Sequence, residues 1–181
     1  MLFILDRKET VVGVLNNSSP APCPYYDDLH TENLETGVNQ YEFKVPANHE
    51  MAETLEVDGY VILKDLDDKF QMFQIKDIAE TAGENGYDKD VYAEHVAIPE
   101  LLGSIVRPAT LKSYTLQNAV NYVLAGSGWA LGEYDFLTSK DIVFDNFTTV
   151  LDALYQIAEA FDCELRYEVI FSNNKVSRRL I

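Results

Sequence analysis

Short apolar runs separated by polar turns dominate the first half of the chain. Leu2 to Leu5 and Val11 to Leu15 flank the polar stretch Asp6-Arg7-Lys8-Glu9-Thr10 and predict a hairpin. Asn16 to Pro24, with three prolines, predicts a loop. Tyr41, Phe43 and Val45 alternate with polar neighbours up to Pro46, the period-two pattern of a half-buried strand. Val57 to Leu63 and Phe70 to Ile75, joined by Lys64-Asp65-Leu66-Asp67-Asp68-Lys69, predict a second hairpin. The pattern then continues through Ile78 and, after a Gly83-Glu84-Asn85-Gly86 turn, to Val96. Many short strands with little helical spacing imply a small barrel or sandwich.

Helical spacing begins only after Pro108. Thr115 is the expected N-cap of a helix whose inner face is Leu116, Ala119, Val120, Val123 and Leu124, stopped by Gly126. Trp129 follows in a short apolar segment. A second helix is expected from Thr149, with Asp152 in capping-box position and a buried stripe of Val150, Leu154, Ile157 and Phe161 beside Ala153 and Ala158. Leu165, Tyr167, Val169 and Phe171 alternate as a strand, and Ser172-Asn173-Asn174 turns it back toward Val176. The chain then stops at Ile181, inside the returning strand, as expected of the N-terminal part of something longer. The fold class is therefore α+β: a β-barrel-like domain over residues 1–90, then a small α/β domain over 91–181 with two amphipathic helices on short strands. The border is expected between about residues 80 and 100. Phe43 and Phe73 are the expected anchors of the first core, and Trp129, Leu154 and Phe161 of the second.

Charge changes the list of partners. Thirty acidic against 14 basic residues give a net charge of −16. Such a surface repels the phosphate backbone and an anionic membrane, so nucleic-acid recognition is set aside. No segment has the length of a membrane span or the pattern of a signal peptide. Cys23 and Cys163 lack CxxC spacing, which argues against a disulfide framework. Cys163 closes the second helix and is expected in the core. Cys23, between Pro22 and Pro24, is expected to be exposed.

No arrangement in the sequence assembles a catalytic centre. Gly126-Ser127-Gly128 follows a helix instead of opening one, the reverse of a dinucleotide-binding loop, and reads as a helix stop. Asp65, Asp67 and Asp68 lack the glycine and the distal glutamate of a calcium loop and read as a solvated hairpin tip. Glu94 and His95 are neighbours on a strand and face opposite ways. His30 and His49 lie in loop-like segments without metal-ligand spacing. Catalytic residues, cofactor-binding residues, metal ligands and cofactors are accordingly all expected to be none.

The run Val91-Tyr92-Ala93-Glu94-His95, the helix ending in Gly-x-Gly-Trp, and the second helix of the Thr-Val-x-x-Ala-Leu-x-x-Ile-Ala type resemble tail proteins of siphophages and prophages of Gram-positive bacteria. This is the prophage endopeptidase tail, or minor structural protein, family. Tyr41-Glu42-Phe43-Lys44-Val45-Pro46 and Phe73-Gln74-Ile75 resemble its opening barrel. The chain departs from the family pattern at Phe161-Asp162-Cys163, where a glycine is usual.

The resemblance implies a homotrimeric baseplate hub at the virion tail tip, made in the host cytoplasm without a membrane anchor. It would contact a distal tail protein and a tape-measure protein, and DNA would pass through without specific binding. Lytic activity is implied only for C-terminal extensions, so this chain is expected to be a structural part and not an enzyme. The alternatives are a cell-wall endopeptidase and a carbohydrate-binding adhesin module. The acidity implies either a lumen that repels DNA or a generally acidic surface.

Overall fold

The computed structural model describes residues 1–18, 23–33, 38–83, 86–134 and 138–181. They form two compact units: Met1–Val96 with Phe171–Val176, and Ala97–Ile170 with Ser177–Ile181.

The first unit is an antiparallel sheet. Its strands are β1 (Leu2–Leu5), β2 (Val11–Leu15), β3 (Tyr26–Asn33), β4 (Val38–Pro46), β5 (Tyr60–Lys64), β6 (Phe70–Gly83) and β7 (Gly86–His95), with a 3-10 turn at Glu50–Thr54. Pairing runs β2–β1–β5–β6–β7–β4–β3. This order is open: among the described residues no pairing joins β2 to β3, so the expected barrel is not closed. Alternation sets the core. Tyr41, Phe43 and Val45 of β4 stand opposite Ala93, Val91 and Lys89 of β7, and all but Lys89 are buried with Leu2, Ile4, Val61, Phe73 and Ile75. The two expected anchors, Phe43 and Phe73, are fully enclosed.

Two hairpins of this sheet use one turn chemistry. In the β1–β2 loop the Asp6 N–H donates to the Thr10 carbonyl and the Glu9 N–H to the Asp6 carbonyl. In the β5–β6 loop Asp65 bonds with Lys69 and Asp68 in the same way. Each is a turn followed by a left-handed residue, Glu9 at φ 61° and Asp68 at φ 63°. Asp6 Oδ1 accepts the N–H groups of Lys8 and Thr10, both at 2.8 Å. Asp65 Oδ1 accepts those of Asp67 and Lys69, both at 2.9 Å, while its Oδ2 takes Gln71 Nε2 at 2.8 Å. Asp65 thus spends its carboxylate on its own hairpin, in agreement with the tip expected there. The Gly83–Gly86 pair ends β6 and begins β7, while Glu84 and Asn85 of the expected turn lie outside the described residues, as do 19–22 of the expected Asn16–Pro24 loop.

The second unit contains α1 (Ala97–Leu102), β8 (Ile105–Val106), β9 (Ala109–Thr115), α2 (Leu116–Leu124), β10 (Trp129–Leu131), β11 (Ser139–Phe144), β12 (Thr148–Thr149) and α3 (Val150–Phe161). The hairpin of β13 (Tyr167–Ser172) and β14 (Lys175–Leu180) follows. Its base lies in this unit and its tip in the first. β9 pairs with β11 and β8 with β12, both antiparallel, while β10 runs parallel to β14. α2 and α3 pack together, and Leu116, Val120 and Val123 of the one and Leu154 and Ile157 of the other are buried.

Both expected helix starts hold. Thr115 Oγ1 accepts the Asn118 N–H at 3.2 Å, and Thr149 Oγ1 accepts that of Asp152 at 3.0 Å while donating its own proton to the Asp152 carboxylate at 2.7 Å. α1 corrects the expectation that helical structure begins only after Pro108. Its six residues are under two turns, too few to show a 3.6-residue period. The Asn173-Asn174 turn has φ 51° and 57°, the geometry of a tight two-residue hairpin.

α3 ends without the glycine its exit geometry favours. Asp162 takes a left-handed conformation, φ 54° and ψ 53°. Its N–H bonds to the Glu159 carbonyl, and that of Cys163 to Ala158, completing a Schellman cap. The side chain pays a steric cost there, and its negative charge opposes the helix C-terminal dipole. Asp162→Gly is therefore expected to raise unfolding stability by about 0.5–1.5 kcal/mol, read as a higher urea midpoint at unchanged slope.

The twin Asp loops carry a pH dependence. At Asp6 the Thr10 N–H bond is the leading cause of a lowered pKa, against a smaller burial penalty. At Asp65 burial pushes up most strongly, but the Gln71 side chain and the Lys69 and Asp67 amides together outweigh it, so its pKa is also lowered. A depressed carboxylate contributes stability fully above its unfolded pKa of about 3.9 and loses it as pH falls through the lower folded value. The amide resonances of Thr10 and Lys69 are expected to titrate with midpoints below about 3.9.

Candidate functional site

Inward alternation on β4 and β7 implies a matching outward row. Gln40, Glu42 and Lys44 stand opposite Glu94, Tyr92 and Asp90, and on β6 Gln74, Asp77, Ala79 and Thr81 stand opposite Glu94, Tyr92, Asp90 and Asp88. Opposed residues of an antiparallel pair share a face. One face of the first unit therefore gathers Glu42, Asp77, Asp88, Asp90 and Glu94, with Lys44 as a counter-charge. Lys76, the extra residue of a bulge between Ile75 and Asp77, donates to Gln74 Oε1 at 2.7 Å.

The charges on this face are linked by hydrogen bonds. Tyr92 OH donates to Glu94 at 3.1 Å and to Gln40 at 3.4 Å. Lys44 Nζ lies 3.4 Å from Asp27 and 3.9 Å from Asp90. Thr81 Oγ1 donates to Asp90 at 3.0 Å. Burial, then the hydrogen bond to Asp88, then the charges of Asp88, Asp27 and Asp90 push the Tyr26 phenol up to about 12. Tyr92 is raised by burial and then by Glu94. Both phenols stay protonated at neutral pH and serve as donors to carboxylates. The face offers negative potential and fixed acceptors, the chemistry that repels a polyanion.

The second unit holds a polar node. Glu100 of α1 accepts Trp129 Nε1 at 2.7 Å through Oε2 and Arg178 Nη2 at 2.9 Å through Oε1. The Arg178 side chain is 11% exposed and that of Glu100 26%. The node ties α1, β10 and β14 together. Tyr167 meets the Trp129 ring edge-on at 5.8 Å, and burial raises its phenol, with Tyr155 adding to the shift. The glycine turn delivers Trp129: Gly126 and Gly128 have φ 84° and 83°, and Ser127 Oγ bridges the Leu124 carbonyl and the Trp129 N–H. This is the helix stop expected there.

The singled-out residues scatter. His95 is fully buried against Phe73, while Glu94 points to the acidic face, so the two form no dyad across the strand. His30 corrects its loop-like reading. It sits on β3, bonds Asn39 and meets Tyr41 and Phe73 edge-on. His49 caps the 3-10 turn, its Nδ1 accepting the Met51 N–H at 3.1 Å. Cys23 is buried, not exposed, because the Asn16 N–H draws its carbonyl against the end of β2. Cys163 is half-buried instead of fully in the core. Trp129, Leu154 and Phe161 are buried as expected. Among the described residues no group of three or more His, Cys, Asp or Glu side chains is placed to hold a metal. No helix there is long and apolar enough to cross a membrane.

Reading only the apolar half of each alternation missed the acidic face, whose signal was the polar half: Glu42 and Lys44 on β4, Asp88, Asp90 and Glu94 on β7. Nothing local marks Glu100 or Arg178, since their contact joins positions 78 residues apart, the difference of their numbers.

Comparison with known proteins follows this geometry. Residues 104–177, most of them in the second unit, match the model of the prophage endopeptidase tail domain family. Two solved structures share the fold. One is prophage tail protein gp18 from Listeria monocytogenes EGD-e, with a TM-score of 0.56, 16% identity, and coverage of 98% of this chain and 50% of that one. The other is the tail protein from Neisseria meningitidis MC58, with a TM-score of 0.55, 12% identity, and coverage of 86% and 44%. The chain thus spans about half the length of the solved structures it matches. No curated protein matches it.

Breaking the node is expected to cost more than thinning it. Glu100→Ala removes the carboxylate that Arg178 and Trp129 both meet and is expected to destabilise by about 2–4 kcal/mol. Trp129→Phe removes only the indole N–H and some ring area, at about 1–3 kcal/mol. Urea denaturation of the two variants gives the comparison.

Proposed function

We propose that this chain is a structural part of a phage or prophage tail, the N-terminal portion of a tail-tip hub that joins the tail tube to adhesion or lysis modules. The observation that carries the reading is the coincidence of two likenesses. A prophage tail domain matches the second unit by sequence, and the fold of both units follows solved tail proteins over most of the chain. In the proposed assembly three copies form a ring that contacts a distal tail protein and a tape-measure protein. The acidic face of the first unit turns to the lumen and keeps passing DNA from adhering. The chain works by assembly, not by catalysis. The histidine nearest to a candidate acid–base role, His95, is enclosed beside Phe73 where a substrate has no access.

Electron microscopy of particles labelled with gold-tagged antibody to this chain tests the reading. Label is expected at the tail tip, and label on the head or the distal fibres alone would overturn it. Purified chain is expected to leave purified peptidoglycan intact. Release of soluble peptide or glycan fragments would replace the structural reading with the endopeptidase one.

A further inference from the structure

We draw no further inference here: the strongest candidate, the apolar surface patch of the exposed Ile105 and Phe147 beside the β8–β12 ladder of the second unit, carries none because nothing in the structure shows what covers it.

Discussion

A buried strand must satisfy every backbone N–H and C=O on both of its edges, and in the first unit that obligation falls most heavily on β6. Its fourteen residues pair with β5 over Phe70–Gln74 and with β7 from Phe73 to Gly83. The bulge at Lys76 lies just past the point where the β5 ladder ends, and the added twist of a bulge turns the strand there. Everything on one side, β5, β1 and β2, takes its register from the first third of β6. Everything on the other side, β7, β4 and β3, takes its register from the rest. Phe73 sits where both ladders overlap. It meets Tyr41, His30 and His95 with ring centroids between 5.3 and 5.6 Å, so the aromatic cluster forms at the one place where both halves of the sheet are held together.

The same register that buries Tyr41, Phe43 and Val45 determines where the charge goes. Period-two alternation leaves no freedom to place Glu42 or Glu94 elsewhere once their neighbours are inside. The acidic face is thus a by-product of the core in geometry and a choice only in residue type. Its carboxylates are met by phenols and a few lysines, not balanced one for one, and the negative potential persists. The second unit treats charge differently. Glu100 and Arg178 are neutralised in pairwise contact and serve packing, with the indole of Trp129 completing the set.

The elements legible in the sequence were those whose signal is local. Thr115 and Thr149 cap helices with apolar faces long enough to show their period, and Asn173-Asn174 announces a tight turn. The resemblance to prophage tail proteins drew partly on the same helices, where a family model matches over residues 104–177, and partly on strand motifs outside that match. What stayed hidden lacked apolar period or depended on distant pairing. β3 is an edge strand rich in charge and carries no alternation to read. β9 and β11 each turn few side chains inward, Leu111 on one and Ile142 and Phe144 on the other. α1 is too short, and Cys23 is buried by a hydrogen bond that the prolines around it gave no reason to expect. The barrel expected from strand count alone is open, because count does not say which two edges meet.

The tip of the β13–β14 hairpin belongs to the first unit, where the Phe171 ring lies 5.1 Å from Phe3 and 5.5 Å from Phe70. Phe3 leaves the ribosome 168 residues ahead of Phe171, the difference of their numbers. Domains commonly fold in the order they are synthesised, but the first unit lacks one of its aromatic layers until the second has been made. The nascent sheet must therefore wait, with Phe3 and Phe70 uncovered, through the synthesis of the entire helical region. A hairpin made after the helices acts as a seal, coupling completion of the β unit to successful passage through the α/β unit.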